Sequence, residues 1–101
     1  MPLSLDGAAL RLKDDDDVAV ALRSLEPGVA VRFPDAEIMP LATIPTGHKI
    51  ALRPLAVGDL VHKYGQPIGR ASAAIVPGEH VHVHNVEGVR GRGDLAPAPS
   101  A

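Results

Sequence analysis

From residue 25 onward, apolar and polar positions follow one rule four times. The segments "LEPGVAVRF" (25–33), "IPTGHKIAL" (44–52), "LAVGDLVHK" (55–63) and "IVPGEHVHV" (75–83) each begin with an apolar residue. A two-residue turn segment, often holding proline, follows; then come a glycine and a stretch of alternating polarity. Glycine supplies the backbone angles a tight turn needs, and a period of two marks a half-buried strand. A further break at "KYGQPIG", where Gly65 and Gly69 flank Gln66-Pro67, reads as a hairpin. Short strands at this spacing predict a mainly β unit folded over on itself, with one short N-terminal helix.

That helix is placed upstream. Asp14 to Asp17 precede "VAVALRSLEPG", so Asp16 or Asp17 is expected to cap a helix over 18–25, ended by Pro27-Gly28. Val18, Ala21, Leu22 and Leu25 would share its buried face. The four aspartates read as a solvated cap, because chain neighbours point in different directions and do not converge on a cation. The organisation is then an N-terminal segment (1–13), one β domain (14–88) and a flexible Gly/Pro/Ala tail (89–101). "RGD" at Arg92–Asp94 lies in that tail and is common by chance.

Composition narrows the function. The chain has 101 residues, 46% of them apolar, with one Phe, one Tyr and no Trp, so its core is built from Val, Ile, Leu and Ala. Such a core is thin, which invites support from a partner or a homo-oligomer. A net charge of -2 and the lack of stacking aromatics argue against nucleic acid. No cysteine is present, which removes disulfides, thiolate metal sites and a Cys nucleophile. The N-terminus does not read as a signal peptide and no apolar run reaches the roughly 18 residues of a membrane span, so a cytoplasmic protein is expected. There is no Ser/His/Asp order, P-loop or dinucleotide glycine pattern.

The candidate chemistry lies in "GEHVHVHN", residues 78–85. On a strand, His80, His82 and His84 would line one face, and Val81 and Val83 the other. Adjacent members would be about 6.6 Å apart and the outer pair about 13 Å, so two rings can meet one metal and three cannot. His82 and His84 are the candidate metal pair; a third ligand would come from His48, His62, Glu79 or another chain. Two alternatives stay open: an ordinary polar strand face, and a site finished by a partner. "HKYG" (62–65) and "GHK" (47–49) set further polar groups beside glycine turns. Lys63 can pair with a carboxylate, and Tyr64 can exchange a proton or simply pack with its hydroxyl at the surface.

"IPTGHKIAL" (44–52), "KYGQPIGRA" (63–71) and "GEHVHVHN" (78–85), in this order, resemble the small SAF-type domain of the altronate/galactarate dehydratase family. The chain is similar also to the small subunit of sulfolactate sulfo-lyases. The resemblance implies a β-clip fold, a bent, hairpin-rich ribbon. It implies a larger catalytic part, fused or separate, that eliminates water from a sugar acid with a divalent metal such as iron, manganese or magnesium. Related two-subunit enzymes eliminate sulfite from sulfolactate. This chain ends in a Pro/Ala tail, so the expectation is a non-autonomous small subunit of a carbon–oxygen lyase, or a standalone binding module. Carried onto these residues, His80, His82 and His84 become candidate proton carriers. His82 and His84 are also candidate ligands of a shared metal, and Lys63, Tyr64, His48, Lys49 and Asn85 candidate substrate-binding residues.

Overall fold

The computed structural model describes residues 4–88, and the expected tail and its "RGD" lie outside them. The architecture is mainly β, with no helix among the described residues. Among the described residues nine strands form in order: β1 (Ala9–Leu10), β2 (Val18–Ala21), β3 (Val31–Phe33), β4 (Ala36–Ile38), β5 (Lys49–Ala51), β6 (Leu60–Lys63), β7 (Gln66–Ala71), β8 (His80–Val81) and β9 (Val86–Gly88). A central antiparallel sheet has the order β1-β2-β5-β8; β3-β4 is a separate hairpin, and β6-β7-β9 a third sheet.

The four turn–strand repeats are built alike and work in pairs. The apolar residue that opens each one forms a bridge: Leu25 with Ile44, and Leu55 with Ile75. In each repeat the fifth residue donates its N–H to the carbonyl of the second: Val29 to Glu26, His48 to Pro45, Asp59 to Ala56 and Glu79 to Val76. All four glycines have positive φ, between 88° and 92°. Gly78 needs its lack of a side chain twice over, since a Cβ there would run into the Met39 carbonyl.

Alternation along the central strands divides the core in two. Ala19, Ala21 and Ile50 point to one side, where Leu25, Val31, Phe33, Ile38 and Ile44 pack. Val18, Ala51 and Val81 point to the other, against Leu55, Val61, Ala71 and Ile75. The middle sheet is therefore covered on both faces by hairpins, which is how a chain without large aromatics buries enough surface.

The expected helix over 18–25 does not form. Val18–Ala21 is a strand held between β1 and β5, with Ala19 opposite Ile50 and Ala21 opposite Ala9. Tertiary pairing outweighs the helix propensity of Ala and Leu. The aspartates are not all a solvated cap either. Asp14 and Asp15 are exposed, but Asp16 and Asp17 are buried, at 0% and 5% exposure. Their carboxylates are directed to the β6-β7 hairpin rather than to a helix start.

The hairpin break falls two residues earlier than Gln66-Pro67. Lys63 pairs with Gln66, so Tyr64 and Gly65 are the two turn residues, both with positive φ (57° and 78°). That is the turn whose twist matches two paired strands. Tyr64 adopts it without glycine's freedom, and Asp16 supports it by accepting the N–H groups of Tyr64 and Gly65, each at 2.8 Å.

Candidate functional site

The histidine strand is shorter than its pattern suggests. β8 stops at Val81; the Asn85 N–H then donates to the His82 carbonyl across a turn at 82–85. The side chain of Asn85 fixes this turn: its Oδ1 accepts from the His82 N–H at 3.0 Å, and its Nδ2 donates to the His80 carbonyl at 2.9 Å. Asn85 is buried, and its Nδ2 also donates to Glu79 Oε2 at 3.4 Å, so its amide shapes the turn. Because the strand ends, Val83 does not share the buried face of Val81; it is 81% exposed.

The turn gathers imidazoles that a straight strand would spread. His48, from the second repeat, stacks on His82 with ring centres 3.9 Å apart. Its Nδ1 lies 2.8 Å from Nε2 of His80, so one ring donates and the other accepts. His80 and His84 are 5.2 Å apart, centre to centre. Burial is the main cause that holds the proton affinities of His80 and His82 below the ordinary histidine range, followed by the charge of His48. Lys49 and His84 add to this at both rings. His82 Nδ1 is itself buried, with no hydrogen-bond partner among the described residues.

Lys49 and Lys63 extend the basic region. By alternation Lys49 shares the face of Ala51, opposite Val81, whereas His48 and His80 share that of Ile50. The lysine and the imidazoles thus occupy two faces of one strand end. Burial first, then the charge of Lys63, lowers the proton affinity of Lys49. Lys63 Nζ lies 5.1 Å from the centre of the Tyr64 ring. Burial, then the Asp16 charge, raises the proton affinity of the Tyr64 phenolate, which keeps that hydroxyl protonated near neutrality.

Among the described residues no group of three His, Asp or Glu side chains could hold an ion, and the imidazole nitrogens within hydrogen-bond distance are those of His48 and His80. The described residues alone therefore do not form a zinc-type site with three protein donors. The concavity lined by Asp6, Arg23, Ser24, Glu26, Val29 and Val31 contains no imidazole, and its charges pair internally, Arg23 with Asp6 at 3.4 Å.

Two buried carboxylates escaped the sequence reading. Asp16 holds the Tyr64-Gly65 turn, and Asp17 grips His62, accepting from its backbone N–H at 2.8 Å and contacting its Nδ1 at 2.9 Å. Arg53 lies 3.5 Å from the other oxygen of Asp17. One signal was available: "ALRSLEPG" (21–28) and "ALRPLAVG" (51–58) share five of eight letters, placing Arg23 and Arg53 equivalently. Each pairs with an aspartate, Asp6 or Asp17.

A folded-over β module with a basic, imidazole-rich edge is the class that these features define. The family described as the altronate/galactarate dehydratase SAF domain matches residues 7–89, and the chain belongs to it. It is 40% identical over 78 residues to altronate dehydratase of Bacillus subtilis (strain 168), covering 77% of this chain and 16% of that protein. Against altronate dehydratase of Escherichia coli (strain K12) it is 46% identical over 70 residues, 69% of this chain and 14% of that protein. Against the (2R)-sulfolactate sulfo-lyase subunit alpha of Chromohalobacter salexigens it is 57% identical over 44 residues, 44% of this chain and 47% of that subunit. The chain thus spans a small part of the dehydratases and under half of the sulfo-lyase subunit. No helix among the described residues is long and apolar enough to cross a membrane.

Proposed function

We propose that this chain is the small component of a sugar-acid dehydratase of the altronate/galactarate type. It docks on a larger catalytic part in the cytoplasm and completes the edge of that part's site. The observation that carries this reading is the basic strand end. Lys49 and Lys63 lie beside the cluster of His48, His80, His82 and His84, so this edge gathers cationic and hydrogen-bonding groups that suit an anion. The carboxylate of a sugar acid is such an anion.

In this arrangement Lys63 and Lys49 hold the substrate carboxylate, and the protonated Tyr64 hydroxyl offers a hydrogen bond to it. His48, His80, His82 and His84, on the other face of the strand end, offer hydrogen bonds to the substrate hydroxyls across that edge. Elimination next to a carboxylate needs a base, an acid for the leaving group and stabilisation of enediolate charge. A chain of this size supplies only part of that set. A divalent ion (iron, manganese or magnesium) would be held by the larger part, where it would polarise the substrate carboxylate.

The test is reconstitution. The large partner that co-purifies with this chain is separated and assayed on altronate, galactarate and (2R)-sulfolactate, with and without the full chain. A gain in turnover on a sugar acid is expected. A gain on sulfolactate alone favours the second reading, a sulfo-lyase small subunit, which the similarity to a subunit alpha supports. No gain on any of the three overturns both.

A further inference from the structure

We infer that His62, oriented by Asp17, is the proton-transfer group this chain contributes to the reaction, an inference that rests on the dehydratase reading above. Asp17 is buried and grips one residue at two points, with the backbone N–H and Nδ1 of His62 both on Oδ2, at 2.8 and 2.9 Å. A carboxylate accepts hydrogen bonds, so the ring proton sits on Nδ1. In the neutral ring Nε2 then carries the lone pair, as in other imidazoles held by a buried aspartate. The His62 side chain is 41% exposed, against 8% for that of Asp17, so the ring is reachable and its anchor is not. Arg53, at 3.5 Å, balances the charge of Asp17.

The register of β6 against β7 shifts between Val61 and His62: β7 carries one extra residue there, Ile68, so that His62 comes to lie opposite Pro67. The ring contacts of His48, His80, His82 and His84 are with one another. A proton on His62 faces a negative partner, whereas a proton on His80 or His82 faces further bases and cations.

In the step, Nε2 takes the proton from the carbon next to the substrate carboxylate, and the electron pair moves into that carboxylate as an enediolate. As the neighbouring hydroxyl leaves, the pair forms the new carbon–carbon double bond. The proton passes from Nε2 to the departing oxygen, so water leaves and the imidazole ends neutral. Asp17 is a positioning residue: it fixes the tautomer and stabilises the transient imidazolium.

The experiment uses the complex purified through this chain, assayed on the sugar acid that the wild-type complex dehydrates. The deciding variant is His62→Asn, whose amide can still donate to Asp17 but has no atom in the place of Nε2. A kcat lower by about 100-fold or more is expected, with KM within threefold and an unchanged melting temperature. His62→Ala should regain rate when free imidazole is added. A His62→Asn complex that turns over at the wild-type rate overturns the inference while leaving the dehydratase reading intact. So does a loss of rate that merely follows a lowered melting temperature. A wild-type complex inactive on every sugar acid sinks the dehydratase reading, and the role of His62 with it.

Discussion

Residues 18–51 and 49–81 pass through the same events: strand, bridge residue, glycine turn, hairpin, bridge residue, glycine turn, strand. β5 ends the first pass and begins the second. Each pass builds its own core on its own side of the central sheet. The hairpins differ. β3-β4 closes through Pro34-Asp35, with Asp35 turned outward to Arg11 at 2.8 Å and the Arg11 guanidinium over the Phe33 ring. β6-β7 closes through Tyr64-Gly65, holds a buried carboxylate beneath the turn, and carries His62 and Lys63. One frame thus serves twice, once as plain support and once as a carrier of chemistry. The difference lies in a few polar residues rather than in topology.

The most severe way to break the comparison is to truncate the equivalent bridge residues. Ile44 and Ile75 are 0% and 1% exposed and occupy matching places in the two cores. Ile44→Ala and Ile75→Ala should each lower unfolding free energy by about 2–5 kcal/mol, read from urea unfolding. Similar losses mean that the passes contribute alike. A loss confined to one would show that the other core is dispensable and the likeness only geometric.

A smaller effect should separate the hairpins. Asp16→Ala leaves the N–H groups of Tyr64 and Gly65 without their acceptor, and removes the support for a non-glycine residue at positive φ. A cost of about 2–3 kcal/mol is expected, with faster amide exchange from Lys63 to Gln66. Asp35→Ala, in the matching hairpin, removes a side chain that is 55% exposed and should cost less. If the two substitutions cost the same, Asp16 is not the support the second hairpin depends on.

These residues also mark what could be read in the sequence. The turn–strand repeats were legible because their signals are local: a glycine at a fixed place, an apolar residue three before it, and alternation after it. The strand at Val18–Ala21 was not, because "VAVALRSL" carries good helix formers behind four aspartates, and only pairing with β1 and β5 decides otherwise. Asp16 and Asp17 act on residues 45 to 49 positions away, a distance that no cap or turn rule spans. In the site, the alternating histidines were visible but their convergence was not. Convergence needs β8 to stop after two residues, and Asn85 causes this by binding the backbone of His80 and His82.

The mildest test concerns pH, and it again sets the passes apart. All five histidines lie at or beyond residue 48, so the first hairpin and its bridge contain none. His80 and His82 bind protons less readily folded than unfolded, where the ordinary value is 6.5. Between the two values the unfolded chain carries more protons, so stability rises with pH in that window. Their contribution is fully present above about 6.5 and is lost as pH falls through the lowered values. Asp6, Asp35 and Glu26 have lowered values too, but they start from 3.8, 3.8 and 4.5, so their loss comes at lower pH. A fall in melting temperature between pH 7 and about 5 is therefore expected, small because the rings are only half-buried and water screens them. His80→Gln with His82→Gln should flatten that fall. Amide exchange at pH 5.5 should quicken around residues 80–86 before it does around 31–38. Were the first hairpin to loosen as early, acid would be acting through the common central sheet, and the histidine cluster would have no separate part in it.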